Sequence, residues 1–533
     1  MTLNAAEVVE QAALALQKPM NDVIDRGDSA VQQFYCGATV FVTGGSGFLG
    51  KQLVEKLFRA CKINKIYMLL RQKKGKNIKD RLEEILKDPV YDMLKEKQPK
   101  FAERIIPVEG EVADLRLGIS DADWTTLTSE VDTIFHVAAT VRFDEALAKA
   151  TFINIRGTRE ALALGKACPK LKCFVHVSTA FSHATFERIG KEIREEFYKT
   201  PVSPHILIKM AQEMDSERLD GITPALTKGW PNTYTFTKAV AEEMVRTDAG
   251  DLPVTIVRPP AVIGSYYEPS PGWMDMSCVY STSGIILGVG MGLIHVANVD
   301  KHVALNVAPV DMVNNTILAA GWQAKERDDK NEVKIYALAT GEQTVTFDYT
   351  ANIMRKECVK FSANKAIWYC SLIEVKNRFL YNIVALLLHY IPAFFIDIIA
   401  GLAGLKLQGK PVSFTKIYEK YDKLLKTHGY FLAYEFDFKD DNLKGLRSKM
   451  SDADKAIFNC DLRSYEKNLF VKVWCLGVRK YIIQDGLRNV RKAYRKQIYF
   501  GIANYVFLAL YFYTLYCLFC YCWFILKYVF ANL

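Results

Sequence analysis

The run Thr43-Gly44-Gly45-Ser46-Gly47-Phe48-Leu49-Gly50 restricts the possible folds more than any other stretch of this chain. An apolar, β-branched segment, Ala38-Thr39-Val40-Phe41-Val42, leads into it, and Lys51-Gln52-Leu53-Val54-Glu55-Lys56-Leu57 follows with the apolar spacing of a helix. A strand that breaks on glycines and resumes as a helix is the setting in which such a pattern reads as a phosphate cradle instead of an ordinary turn. Gly44 lets the chain turn tightly, Gly47 lets the backbone approach a pyrophosphate, and Gly50 lets the helix pack on the strand. The free N–H groups opening the helix then face an anion, with the helix dipole behind them. The whole run from Thr43 to Gly50 is assigned on this basis to a dinucleotide.

The spacing Gly44-x-x-Gly47-x-x-Gly50 departs from the G-x-G-x-x-G of ordinary dehydrogenases and resembles the extended short-chain dehydrogenase/reductases. Ile66-Tyr67-Met68-Leu69-Leu70 reads as a buried parallel strand. The residue at its end selects the cofactor: enzymes that take NAD place Asp or Glu there, about 20 residues past the glycines, on the ribose 2′-hydroxyl. Here stand Arg71, Gln72, Lys73, Lys74 and Lys76. A carboxylate would repel a 2′-phosphate whereas a guanidinium forks onto it, so NADPH is favoured over NADH. A third strand, Arg104-Ile105-Ile106-Pro107-Val108-Glu109-Gly110, runs into Glu111-Val112, which offers a carboxylate for adenine contact. A fourth, Val131-Asp132-Thr133-Ile134-Phe135-His136-Val137, ends on Ala138-Ala139, small residues that let the backbone lie against the nicotinamide half; His136 reads as a packed strand-end histidine. Asn154, assigned to the cofactor, opens the next helix, and Leu171-Lys172-Cys173-Phe174-Val175-His176-Val177 is a fifth strand. This alternation predicts an α/β fold, a doubly wound parallel sheet of Rossmann type.

The fifth strand delivers Ser178 and Thr179 to the carboxyl edge of the sheet, where ligands bind in such folds. Downstream, Tyr234 and Lys238 stand at i and i+4, on one helix face. An ammonium beside a phenol favours the phenolate and lowers a pKa that is about 10 unperturbed. Tyr234 is thereby expected to donate a proton to a carbonyl as general acid. Thr179 is the first choice for the hydroxyl that holds the carbonyl and Ser178 the second; Lys238 would also bond the nicotinamide ribose. Val254-Thr255-Ile256-Val257-Arg258-Pro259-Pro260 is a further strand ended by its prolines, with Pro259 beside the nicotinamide.

Composition narrows the partners. The chain has 533 residues and a formal charge of +10, yet no basic stripe with interleaved aromatics marks a nucleic-acid surface. Twelve scattered cysteines read as reduced thiols facing the cytosol. Cys517-x-x-Cys520 lies inside an apolar run lacking the polar surroundings a zinc site requires, so no metal is expected. The N-terminus carries Glu7, Glu10, Asp22 and Asp25 and is no signal peptide; it reads as a mobile lead-in with one amphipathic helix over residues 5–16.

Further motifs carry a more specific resemblance. Val257-Arg258-Pro259-Pro260-Ala261-Val262-Ile263-Gly264, Glu268-Pro269, Pro271-Gly272-Trp273 and Val310-Asp311-Met312-Val313-Asn314 resemble the alcohol-forming fatty acyl-CoA reductases, as do Phe34-Tyr35 and Leu117-Gly118-Ile119-Ser120. Phe436-Asp437-Phe438, Asn442-Leu443, Phe458-Asn459-Cys460-Asp461 and Gly477-Val478-Arg479-Lys480-Tyr481 are similar to that family's C-terminal "sterile" domain, with an insect-like flavour. Ser46, Glu111 and Phe181 stand where Thr, Asp and Tyr are common in the family. The resemblance implies an N-terminal extension (1–36), an NADP-binding reductase domain with substrate-site insertions (37–355), a mostly helical C-terminal domain (356–490) and a transmembrane anchor (497–526). It also implies reduction of a long-chain acyl-CoA, through a hemithioacetal and an aldehyde, to a primary alcohol and free CoA. The readings that compete with it are a membrane-bound hydroxysteroid-type dehydrogenase and a non-catalytic NADP(H)-binding scaffold.

Residues 497–526 contain no charge and are dense in Leu, Phe, Tyr, Cys and Ile, enough for one tilted span or a tight hairpin in a lipid bilayer. Arg488, Arg491, Lys492, Arg495 and Lys496 precede them and predict a cytosolic face for the catalytic part. The endoplasmic reticulum is preferred to the peroxisome. A second apolar stretch, 379–396, contains His389 and Pro392 and is expected to be a bilayer-facing or acyl-tunnel element in preference to a crossing.

Overall fold

In the computed structural model, which describes residues 3–72, 75–279, 281–325, 332–341, 344–404, 406–407, 410–411 and 413–531, seven strands form one parallel sheet. They are β1 (Thr39–Thr43), β2 (Lys65–Leu70), β3 (Ile105–Glu109), β4 (Thr133–His136), β5 (Cys173–Val177), β6 (Val254–Arg258) and β7 (Lys334–Ala337), in the order β7-β6-β5-β4-β1-β2-β3. β1, β4, β5 and β6 are buried along their whole length, as continuous apolar runs covered by helices on both faces require. β1 pairs with β2 on one side and β4 on the other, with Thr43 opposite His136. The strand order reverses there, which opens the crevice at the carboxyl ends where a doubly wound sheet takes its ligand. Lys73 and Lys74 of the basic loop lie outside the described residues.

Residues 3–36 are not a mobile lead-in. They form three helices, Ala5–Ala15, Gln17–Arg26 and Ala30–Tyr35. Asn4 and Glu7 close a capping box on the first, whose buried Ala6, Val9 and Ala13 pack on helix Lys467–Gly477. Lys480 reaches Glu10 at 2.6 Å, and Ser29 Oγ and the Val31 N–H both donate to Asp454. The amphipathic pattern was legible, but the partner that covers it comes from the far end of the chain. The C-terminal apolar run is likewise settled as one continuous helix, Val490–Ala531, and not a hairpin.

A buried ionic cluster joins the glycine helix Phe48–Cys61 to the C-terminal part. Lys56 Nζ donates to both Glu268 oxygens at 2.7 and 2.8 Å and to the Ile457 carbonyl at 2.6 Å. Arg59 donates to Glu268 at 2.8 Å and to Glu55 at 2.6 Å, and Asn315 to Glu268 at 3.1 Å. Burial pushes the Glu268 carboxyl up, but Lys56 and Arg59 more than offset it and hold it below its ordinary value. Glu268→Gln leaves two buried cations short of a counter-charge. We expect it to cost about 3–5 kcal/mol, read as a lowered thermal unfolding midpoint. The exposed Glu192→Gln, which loses Arg194 and Lys439, should leave that midpoint nearly unchanged.

Candidate functional site

The glycine turn has the shape its spacing predicted. Gly44 sits at φ +76°, and a Cβ there would lie 2.7 Å from the Ala138 nitrogen. A Cβ on Gly50 would lie 2.3 Å from the Gly44 carbonyl oxygen. Gly47 is the N-cap of helix Phe48–Cys61 and supplies no side-chain cap, so the first N–H groups of that helix point outward without a side-chain partner. These residues fit a pyrophosphate, because the backbone is bare where the anion must approach. Side chains in the run hold the turn in place: Thr43 Oγ1 meets His136 Nδ1 at 2.9 Å and the Ala138 N–H at 3.3 Å. Phe48 stacks on Trp273 at 5.0 Å, the Leu49 carbonyl accepts from Asn314 at 3.0 Å, and Gly45 lies against Met68. Ser46 is half-buried at the rim.

At the ends of β2 and β3, Arg71 and Glu111 form an ion pair of 3.4 Å, with the Arg71 side chain 61% exposed. Arg81 donates to the Arg71 carbonyl and braces this corner. Val112 packs on Gly157, where a Cβ would come within 2.4 Å of it. Asn154 is buried, and its amide is engaged inside the protein. It accepts from the Thr140 N–H at 2.9 Å and donates to Thr237 Oγ1 at 3.0 Å. These bonds make Asn154 a brace between the loop after β4 and helix Thr233–Asp248. Ala138 and Ala139 line the loop after β4.

The reactive hydroxyls gather beyond β5. Lys238 Nζ, buried, donates at 2.7 Å to the carbonyl of Val177, the last residue of that strand. Thr179 lies close enough to Tyr234 to lower the pKa of its phenol, and its Oγ1 donates to the Pro259 carbonyl at 3.4 Å. Ser178 turns the other way and donates to Glu242, so of the two candidate hydroxyls Thr179 faces the phenol and Ser178 does not. Burial raises the Tyr234 phenol to about 12, against a lowering by Thr179. Burial lowers Lys238 to about 8, with Glu242 opposing it. The expected depression of the phenol by Lys238 is thus corrected: burial dominates, and the ammonium is aimed at Val177.

Glu242, two helical turns after Tyr234 on the same face as Lys238, escaped the motif reading although the i, i+4, i+8 spacing carried it. It accepts from Arg258 at 2.6 and 3.0 Å, from Ser182 Oγ at 3.1 Å and lies 3.2 Å from His183 Nε2. Arg258 reaches on to the carbonyls of Arg194 and Glu196, both at 2.9 Å. Helix Phe414–Ala433 covers the site: His428 and Phe431 sit 4.6 and 5.4 Å from Phe143, which stacks on Tyr234 at 5.7 Å. Phe181 meets Phe431 at 4.8 Å.

Comparison with known proteins gives this geometry its family. Residues 42–317 match an NAD-binding family model described as male sterility protein, and residues 388–485 match the Sterile model of the same description. The chain is 36% identical over 502 residues to the fatty acyl-CoA reductase wat of Drosophila melanogaster, covering 92% of this chain and 93% of that one. The chain belongs to the fatty acyl-CoA reductase family. Fatty acyl-CoA reductase 1 of Mus musculus is 33% identical over 474 residues, 88% of this chain and 89% of its own. This reductase is therefore an oxidoreductase with a nicotinamide-binding domain. Its fold is shared with the terminal R domain of the myxalamid biosynthetic pathway, at TM-score 0.53 and 23% identity over 83% of this chain and 90% of that one. Among the described residues of the reductase no cluster of His, Cys, Asp and Glu has the arrangement of a metal site.

Glu242→Gln tests the buried hub. Burial raises the carboxyl, but Arg258 and His183 hold the folded value well below 4.5, so this stabilisation is present above the ordinary carboxylate range and lost as pH falls. The variant should be about 3–5 kcal/mol less stable at pH 7 in denaturant unfolding, and the gap should narrow below about pH 4.

Proposed function

We propose that this chain reduces long-chain fatty acyl-CoA to a primary alcohol with NADPH. The observation that carries the reading is the grouping of Thr179 with Tyr234 just beyond β5, with Lys238 fixed on the last carbonyl of that strand. The N–H groups of Phe48 and Leu49 would hold the pyrophosphate, and Arg71 the 2′-phosphate; Glu111 is near enough to Arg71 to set its direction. When bound, the nicotinamide supplies hydride.

Thr179 and Tyr234 together present two hydroxyls to the carbonyl oxygen of the thioester. As that oxygen gains charge, Tyr234 delivers its proton. A phenol held near 12 stays protonated at neutral pH until such a base appears. The resulting hemithioacetal collapses with loss of CoA thiol and leaves an aldehyde, which the same hydroxyls receive for a second reduction. One acyl-CoA, two NADPH and two protons give one alcohol, one CoA and two NADP⁺. The aromatic wall of Phe143, Phe431 and Phe181 excludes water from this step and suits an apolar chain.

The tail supports attachment to a bilayer. Val490–Ala531 is 42 residues, about 63 Å as a helix, against a hydrocarbon core of about 30 Å. Its basic start supports a cytosolic catalytic part, with the endoplasmic reticulum the preferred membrane over the peroxisome.

Membranes from cells expressing the chain, given NADPH and a series of acyl-CoAs, should yield primary alcohol at two NADPH per CoA released. Tyr234→Phe should lower turnover by roughly 10²–10⁴-fold while NADPH binding persists. Aldehyde as the sole product would remove the second reduction. Arg71→Ala should raise the KM for NADPH by about tenfold or more and leave that for NADH nearly unchanged, since only the 2′-phosphate contact is lost.

A further inference from the structure

Helix Arg378–Leu402 is 25 residues long and apolar enough to cross a membrane, and it is continuous through a π-helical turn at Leu386–Tyr390 that accommodates Pro392. Its two faces differ. Tyr381, Ala385, His389, Ala393 and Ala400 form a buried stripe at helical spacing. That face is bonded to the protein from one end to the other: Tyr381 and Tyr390 each donate to Asp422 at 2.6 Å, and His389 accepts the backbone N–H groups of His295 and Val296 at 3.0 and 3.2 Å. At the far end Asp397 accepts the Phe414 and Thr415 N–H groups. The opposite face carries large apolar side chains in the open, with Phe379 75%, Ile399 64% and Leu402 86% exposed.

We infer that helix Arg378–Leu402 lies in the plane of the membrane surface, its outer face dipped into the lipid, and does not cross. Its neighbour Phe414–Ala433 packs against it and turns exposed Lys416, Lys420, Lys423 and Lys426 away from it. A crossing would drag these ammonium groups into hydrocarbon. An in-plane helix leaves them in water and removes only the apolar face from it. The lipid surface is identified as the occupant by continuity with the tail: Tyr511 OH donates to the Leu387 carbonyl at 2.9 Å, so the tail passes this helix at mid-length. Beyond Tyr511 helix Val490–Ala531 continues for about 20 residues, about 30 Å, the thickness of one hydrocarbon core. The level at which the in-plane helix meets the tail thus leaves enough helix beyond it for a span. Phe414–Ala433 then connects that surface to the catalytic aromatics through His428 and Phe431, so an acyl chain leaving the bilayer would meet the wall around Tyr234.

The inference rests on tail insertion, and the test separates the two. The full chain, carrying one environment-sensitive fluorescent amino acid at Phe379, Phe395, Leu402 or Phe519, is reconstituted into phosphatidylcholine vesicles with nitroxide groups at shallow or deep acyl positions. The Phe519 probe should be quenched best by deep nitroxides. The probes at Phe379, Phe395 and Leu402 should all be quenched at least twofold better by shallow ones. A steady change of depth from Phe379 to Leu402 would mean a crossing and overturn the inference. So would probes that no lipid quenches while Phe519 is quenched, the result for a face that binds another protein. Loss of quenching at Phe519 itself would overturn the tail reading and this inference together.

Discussion

Between the ends of β5 and β6 the Glu242 carboxylate faces the Arg258 guanidinium at 2.6 Å, with both groups out of water. A lone charge there would be costly, and the pair is tolerable because every remaining direction is filled: Ser178, Ser182 and His183 around the carboxylate, the carbonyls of Arg194 and Glu196 around the guanidinium. Those partners come from β5, the turn after it, β6 and the 194–196 segment. The hub therefore fixes how far Thr179 projects beyond the sheet and where the helix bearing Tyr234 and Lys238 lies. None of its members need touch a substrate for the reactive geometry to depend on them.

The same logic explains the choice between two adjacent hydroxyls. Residues on an extended segment alternate sides, so if Ser178 is drawn to Glu242, Thr179 must face the crevice. A one-residue shift of β5 would exchange them and leave the hub without its serine. The Ser178 N–H to Val257 carbonyl bond at 2.8 Å holds the register against that shift.

The parallel sheet was legible because its strands are short apolar runs separated by glycine turns and periodic helices, signals local in sequence. The glycine cradle was legible from its local spacing: a Cβ on Gly50 would meet the Gly44 carbonyl of the same turn, while one on Gly44 would meet Ala138 in the loop after β4. The bracing role of Asn154 was not legible, because its partners Thr140 and Thr237 are set by packing. The depression of the Tyr234 phenol failed similarly, because i, i+4 spacing fixes a shared face but says nothing about burial. Least legible were contacts between the two ends of the chain, Glu10 with Lys480 and Ser29 with Asp454, and the covering of the catalytic crevice by His428 and Phe431. Such pairings follow from topology and leave no periodic trace.

These long-range contacts also decide how the apolar helices can be used. The root of the tail is bound to the body: Gln497 bonds the backbone on both sides of Tyr369, Asn504 accepts from Trp368 at 2.8 Å, and Lys496 donates to the carbonyls of Asn364 and Ala366. An anchor joined by a loose linker would fix only the distance of the catalytic part from the bilayer. A rigid helix bonded over its first four turns fixes its tilt as well. A second apolar face resting on the same surface would then remove rotation about the tail axis. With both contacts made, the aromatic side chains Phe143 and Phe431 would keep a constant bearing to the lipid. On the proposed reading, a poorly soluble acyl chain would then approach these aromatics from the lipid and not from bulk water.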